Sequence, residues 1–550
     1  MRKNSGIVIG SALAAVLVLS SCGGGGATST QPPVAAAGDP VTGGTLVYAS
    51  GDAEPTCLDP HVGGYYPQAL ISTQYLEPLF ARDAEGQILG WLAESWQESA
   101  DQLSWNITLK PGITFTDGTP LTAEAIKVNI AHLKDPETAS STGYLAVGKV
   151  TEVEVISDLE AVVHLSAPDS ALLDSLSQQW TAIQSPAALE RSRDDNCQSP
   201  VGTGPFVVDS WVPQQQVNLV RNENYAGNDP LATNNGAAYL DGITWRFIPD
   251  AATRQAALQS GEVHVVDNPQ PAAIAEAQNS DTISHLDAPR PGSVNRIELN
   301  SAQAPFDDIA VREAFIRAAD PNPGIESLYF GTTTRSYSPL SSVEPYAYSD
   351  ESLFNTDLDE ANSLLDGAGW TQFDDDGYRI KDGQRLTVRV PVSTNQSVPA
   401  EQSLFEQIQA NVKRAGFEVI LTPVDLSSWY GALAAYEYEA VSAPYTKVGA
   451  DVLRILYHSD SLIPAPSGYF ANLSGLNSPA LDELLTQAAS EADPTARGDI
   501  YRQVQQEVLE GFYILPLYDQ QNHFLTRGVA GVRALGTVAT ATFLDAHLQD

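Results

Sequence analysis

A short basic start followed by an apolar run constrains this chain more than any feature of its body. Arg2 and Lys3 precede the apolar stretch from Ile7 to Leu19, and small residues follow before Cys22. That order of parts is a secretory signal. A helix needs about 20 apolar residues to cross a bilayer, so the run is too short to anchor the chain by itself. After Cys22 come Gly23 to Gly26 and a stretch rich in Ala, Thr, Ser and Pro through Asp39. Such a composition buries too little surface to fold and reads as a tether. The folded body is expected to start near Gly43. At roughly 510 residues it is several times a usual domain, so more than one core is expected. No later segment is apolar enough to cross a membrane.

The string LSSC (Leu19 to Cys22) resembles the lipobox of bacterial lipoproteins, in which the signal is cut before the cysteine and that cysteine carries the lipid. The resemblance implies a mature chain that begins at a lipidated Cys22; the alternative is an ordinary secretory signal with an incidental cysteine. The chain carries 68 acidic and 29 basic residues, a net charge of -39. That balance argues against nucleic acid as a partner, which needs a basic surface to displace counterions from phosphates. It is also poor for adsorbing to anionic headgroups, so the membrane link is expected through the lipid. With Cys22 lipidated, Cys57 and Cys197 remain, and an oxidising exterior favours a disulfide between them; two buried free thiols are the alternative. Neither has a CxxC partner, so no metal site is expected there.

The body alternates strand and helix signals, which points to an α/β fold. GGTLVYAS (Gly43 to Ser50) and LSWNITL (Leu103 to Leu109) alternate as strands. ALISTQYLEPLF (Ala69 to Phe80) has helical spacing until Pro78. Ile113 to Leu133 reads as a strand, an Asp-Gly turn and a helix capped by Thr122. Val150 to Ile156 and Ala161 to Leu165 read as a hairpin. GTG (Gly202 to Gly204) lacks the ending of a P-loop and the spacing of a dinucleotide fingerprint, so it reads as a backbone turn into a strand. DDDG (Asp374 to Gly377) lacks the spacing of a calcium loop and reads as a hairpin turn.

Several segments, taken in order, resemble one family: CLDPHVGG (Cys57 to Gly64), EPLF (Glu77 to Phe80), LAESW (Leu92 to Trp96), WNITLKPGITFTDGTPLTAEAI (Trp105 to Ile126), VGTGPFVVDSW (Val201 to Trp211) and LVRNENYAG (Leu219 to Gly227). The series continues with ATRQAALQSGEVHVVD (Ala252 to Asp267), FDDIAVREAFIRAAD (Phe306 to Asp320), DEANSLLDGAGW (Asp359 to Trp370) and YRQVQQEVLEGFYILPLY (Tyr501 to Tyr518). Together they resemble the solute-binding proteins of oligopeptide, dipeptide and nickel ABC transporters, family 5 of the bacterial extracellular solute-binding proteins. The resemblance implies a two-lobed α/β fold of the periplasmic-binding-protein type with three domains and the ligand in the interlobe cleft. The expected division is residues 1–21 as signal and 22–42 as lipidated cysteine and tether. Residues 43–80, 196–289 and 515–550 form a first lobe, 81–195 a small subdomain inserted in it, and 290–514 a second lobe. It also implies a monomer that captures a peptide or other small organic solute by hinge closure and delivers it to a membrane permease. No cofactor is expected.

Family positions suggest the site. In peptide-binding relatives a glutamate follows the LDP segment and reaches the cleft; Gln68 stands at the matching place, beside Tyr65, Tyr66 and Pro67. Those relatives also carry an aspartate that pairs with the peptide's α-amino group, and here YTKVGAD (Tyr445 to Asp451) places Lys447 near it. A lysine there would repel an amino terminus and favour a carboxylate-bearing ligand; alternatively a loop shift lets Asp451 take the old role. Trp429, Tyr430, Tyr445 and Asn295 complete the candidates, and Arg296, alternating away from Asn295, is expected to be solvated. There is no GxSxG elbow and no HExxH, and the eight histidines are dispersed. An exported hydrolase and a surface sensor or adhesin using the same fold stand as alternative functions.

Overall fold

In the computed structural model residues 40–394 and 397–549 are described. The signal, Cys22 and nearly all of the tether lie outside them. Among the described residues no helix is long and apolar enough to cross a membrane.

A seven-stranded mixed sheet forms the first architectural unit. Its order is Ser284–Pro289, Gln521–Thr526, Val265–Asp267, Thr45–Ser50, Gly242–Phe247, Gln216–Arg221 and Phe206–Val212. Thr45–Ser50 runs parallel to both its neighbours. It is covered on both faces: Leu46 and Tyr48 enter one apolar cluster and Ala49 another. Burial on both sides is what a central parallel strand requires.

Two further apolar cores surround other sheets. One gathers residues from Ala69 to Ile183, with Leu535 and Val538. It includes the antiparallel sheet Ala93–Glu98, Ser104–Leu109, Glu160–Leu165, Val150–Ser157. The helix Ala123–Lys134 lies against this sheet, burying Ile126, Asn129, Ile130 and Leu133 along one stripe. The largest core runs from Ile297 to Tyr518 around the three strands Ala440–Ser442, Asn295–Leu299 and Ile514–Tyr518 and the parallel pair Thr387–Ser393 with Glu418–Val424.

The chain passes between the seven-stranded and three-stranded sheets twice, and the two passages are neighbours. Ser284–Pro289 pairs antiparallel with Gln521–Thr526 in the first sheet, and Asn295–Leu299 pairs antiparallel with Ile514–Tyr518 in the second. Between them the Arg290 N–H donates to the Gln520 carbonyl at 2.9 Å, and Gln520 Nε2 donates to the Ser293 carbonyl at 2.7 Å. Gly292, at φ +94°, lets the ribbon turn where a Cβ would stand 2.7 Å from the Lys447 backbone. Glu344 clamps this turn, accepting from Gly292 N at 2.9 Å and Gly449 N at 3.1 Å, with Arg82 Nη1 3.6 Å away.

The quoted sequence segments meet around Glu77. Its buried carboxylate accepts from Trp91 Nε1 (2.8 Å), Thr203 Oγ1 (2.6 Å), Tyr225 OH (2.7 Å) and Asn228 Nδ2 (3.2 Å). Burial raises its pKa while these donors oppose the shift. The GTG turn packs on Tyr75, so closely that a Cβ on Gly202 would lie 2.1 Å from the Tyr75 carbonyl oxygen; it leads into the strand Phe206–Val212, as the sequence predicts. Asp374 closes the DDDG hairpin by accepting from the Asp376 and Tyr378 amides, both at 2.9 Å.

Three local expectations change. The first helix is Tyr66–Ser72, begun by Pro67 and ended before Tyr75, so it starts and stops earlier than its apolar spacing suggests. Thr122 stands at the N-cap of its helix, yet its side chain makes no capping bond. Arg296 is not solvated: it is fully buried and ion-paired with Glu298, with Ser293 Oγ accepting at 2.7 Å.

Cys57 and Cys197 form a disulfide across a sequence separation of 140 residues. A loop of that length places the crosslink in the range of about 2–5 kcal/mol. Reduction should therefore lower the urea midpoint and steepen the slope as the unfolded chain expands, and the unfolded, unreduced chain should show no thiol from these two residues; an unchanged midpoint would contradict a stabilising bond.

Candidate functional site

Two adjoining cavities of about 130 and 110 Å³ lie along the crossover ribbon and share Arg290 and Pro444. The second is walled by aromatic rings. Tyr65 and Tyr66, at the start of the first helix, and Trp180 face Trp429, Tyr430, Tyr445 and Tyr469 from the largest core's side. Tyr65 and Tyr430 meet with ring centroids 5.1 Å apart, and Tyr430 lies edge-on to both Trp429 (5.0 Å) and Tyr469 (5.8 Å). Burial pushes the Tyr66 phenol up to about 12, so it stays protonated and donates to the Val538 carbonyl at 2.6 Å. Such a wall supplies apolar area, and a few polar groups set orientation.

Arg290 is the cation of the cleft. Its guanidinium lies over the Tyr66 ring, 4.0 Å from the centroid, and donates through Nε to Thr446 Oγ1 at 3.0 Å. Among the described residues no carboxylate stands within 4.0 Å of it. Asp52 in the same wall feels its charge without closing an ion pair with it, so the guanidinium fork keeps donors free for a carboxylate from outside.

Two carboxyls line the cavities. Glu401 sits at the floor of the first, accepting from Asn295 Nδ2 at 2.7 Å; Asn295 Nδ2 also reaches Tyr518 OH at 2.9 Å, and Tyr329 OH donates to Tyr518 OH at 3.0 Å. Burial raises the Glu401 pKa despite these donors. Asp52 lines the second cavity, and burial, reinforced by the neighbouring Asp267 charge and opposed by the charges of Arg290 and Arg254, pushes it up to about 7. Asp267 itself is saturated by Tyr48 OH (2.8 Å), Ser50 Oγ (2.8 Å) and the Gly51 amide (2.5 Å).

Of the residues the sequence singles out, Tyr65, Tyr66, Trp429 and Tyr445 line the aromatic cavity and Asn295 the other. Gln68 and Lys447 line neither. Gln68 is buried and serves its own loop: Oε1 accepts from the Tyr65 amide at 2.8 Å, and Nε2 donates to the Cys57 and Val62 carbonyls at 3.0 and 2.8 Å. Lys447 is buried against Asp451 at 3.0 Å and Ser175 Oγ at 3.2 Å. Asp451 is equally committed, with Arg454 Nε at 2.9 Å. Burial opposes its ionisation, but the Arg454 and Lys447 charges hold its carboxyl well below the usual range. Neither Lys447 nor Asp451 is therefore available to a ligand in this arrangement. Sequence reasoning misses Arg290, Asp52 and Glu401. The one signal for Arg290 is its place in PRPG (Pro289 to Gly292), where the chain leaves the seven-stranded sheet.

The family model for bacterial extracellular solute-binding proteins, family 5, matches residues 87–461. The chain belongs to that family. The nickel-binding periplasmic protein of Escherichia coli K12 is 26% identical over 471 residues, covering 84% of this chain and 86% of the relative. The ABC transporter-associated periplasmic binding protein DppA from Helicobacter pylori, solved with the peptide STSA, superposes with a TM-score of 0.80 at 20% identity, covering 93% of this chain and 99% of that one. MoaA from A. tumefaciens R10, solved with mannopinic acid, gives 0.78 at 24% identity over 93% and 100% of the two chains. The fold is thus the mixed α/β fold of periplasmic binding proteins, as the sequence predicts. Members of family 5 are extracytoplasmic solute-binding components of ABC importers and not enzymes, which removes the hydrolase alternative.

The paired carboxyls generate a pH dependence. A carboxyl whose folded pKa lies above its unfolded value keeps a proton that the unfolded chain has released. Between pH of about 4 and about 7 the Asp52–Asp267 pair should therefore make the folded state less stable as pH rises. Asp267→Asn should lower the Asp52 midpoint in carbon-13 NMR titration; a midpoint unchanged in the variant would contradict the coupling.

Proposed function

We propose that this family 5 protein is the lipid-anchored receptor of an importer for a small organic solute bearing a carboxylate, such as a peptide or an opine-like acid. The observation that carries the reading is Arg290, a guanidinium with no carboxylate in ion-pair contact, stacked on Tyr66 where the two cavities join. The solute's carboxylate takes the fork of Arg290 in a bidentate pair. Its apolar portion lies among Tyr65, Trp429, Tyr430 and Tyr445, and Glu401 with Asn295 reads a donor at the other end. Residues 43–80, 196–289 and 515–550, with the inserted 81–195, move as one lobe and residues 290–514 as the other. The paired crossovers act as the hinge, and closure is a population shift driven by contacts made only in the closed state. A lipid on Cys22 keeps this monomeric trap within reach of its permease. Relatives solved with a peptide and with an opine acid support a carboxylate-bearing ligand class.

A thermal-shift screen of peptides, opine-like acids and the amides of the same compounds tests this. At one hundred times its dissociation constant a true ligand should stabilise the protein by about 2.7 kcal/mol. The free acids should bind and their amides should not, and Arg290→Ala should weaken the best ligand by about 2 kcal/mol or more, roughly 30-fold, in titration calorimetry. Equal binding of acid and amide, or an unchanged affinity in the variant, overturns the assignment. For the anchor, the protein expressed in a bacterial host should incorporate labelled fatty acid, and Cys22→Ser should not.

A further inference from the structure

Away from the cleft, two histidines and an aspartate from distant parts of the sequence converge. Asp59 and His61 lie in the loop after the first strand, and His132 lies near the end of the helix Ala123–Lys134. One ligand-capable atom of each lies within 4.8 Å of the other two. None of the three lines either cleft cavity.

Each side chain is oriented by a partner on its far side. His61 is fully buried, and its Nε2 stands 2.9 Å from the Ala182 carbonyl. A carbonyl oxygen only accepts, so Nε2 carries the proton and Nδ1 is left with a bare lone pair. That Nδ1 is buried and has no hydrogen-bond partner. His132 Nδ1 contacts Thr138 Oγ1 at 3.2 Å, which turns Nε2 toward Asp59. Asp59 is fixed by the His61 amide (2.8 Å) and Gln184 Nε2 (2.7 Å) on Oδ1 and by Asn196 Nδ2 (2.9 Å) on Oδ2. The separation of His132 Nε2 from Asp59 Oδ2 is 3.3 Å. That is long for a charge-assisted hydrogen bond, and it equals the edge of a tetrahedron with metal–ligand bonds of about 2.0 Å.

We propose that Asp59, His61 and His132 form a site for a divalent transition-metal ion, zinc foremost, through Oδ2, Nδ1 and Nε2. Two imidazoles and one carboxylate, each held from behind by a hydrogen bond, are the donor set and the supporting arrangement that zinc sites use. The fourth position is left to water. His132 is only partly buried, which gives the ion its entry side. The ion ties the loop beside the Cys57–Cys197 disulfide to the small subdomain's helix, so it is a structural strut separate from the transported solute.

The test is zinc content of the purified full-length chain by mass spectrometry after equilibration with micromolar zinc and removal of the excess. Wild type should retain one zinc per chain that His61→Asn and His132→Gln lack, and Thr138→Val should bind about 10-fold more weakly. His285→Asn, which removes a ligand from the other cluster of His285, Asp287 and His523, should leave the content unchanged. His132 is partly exposed, so its variant should fold even where the His61 variant does not, and it then decides the matter. No zinc in wild type, zinc retained undiminished by His132→Gln, or loss of zinc in His285→Asn each overturns the proposal.

Discussion

Everything in the cleft depends on the chain crossing twice between its sheets as one paired ribbon. Ser284–Pro289 and Asn295–Leu299 are successive strands of one passage, and Ile514–Tyr518 and Gln521–Thr526 of the other. Because the passages pair with each other in both sheets, the residues between them are fixed in register with two cores at once. Arg290 and Gln520 occupy that gap and bond across it. A charge placed there is held by the ribbon itself, beside both cavities. The cost is a tight turn, which Gly292 and the buried Glu344 make possible.

The same ribbon explains why the aromatic wall has two sides. Tyr65 and Tyr66 come from the loop and helix after the first strand, while Trp429, Tyr430 and Tyr445 come from segments packed on the largest core. Their meeting, as in the Tyr65–Tyr430 contact, is a tertiary event that no local pattern encodes. Ring faces from both sides with one guanidinium between them suit a flat or extended solute with an anionic end.

Local patterns were legible where local physics decides. The alternation in Gly43 to Ser50 and Leu103 to Leu109 and the turn chemistry of DDDG and GTG each yield the expected element. Arg296 was misread because alternation assigns a face but cannot show that both faces of Asn295–Leu299 are buried. Gln68 and Lys447 line neither cavity, and position relative to a family motif does not reveal what a polar side chain bonds. Gln68 answers the open carbonyls of its own loop, and Lys447 answers an aspartate four residues on. His61 and His132 looked dispersed because their 71-residue separation vanishes only when the helix Ala123–Lys134 docks.

A crystal structure of the protein with a solute from the binding screen tests the central claim most directly. The account predicts ligand density spanning both cavities, with a carboxylate in hydrogen-bond reach of the Arg290 guanidinium and apolar atoms against Tyr65 and Tyr430. A ligand bound with no contact to Arg290, or one whose anionic group displaces Asp451 from Lys447, would contradict it.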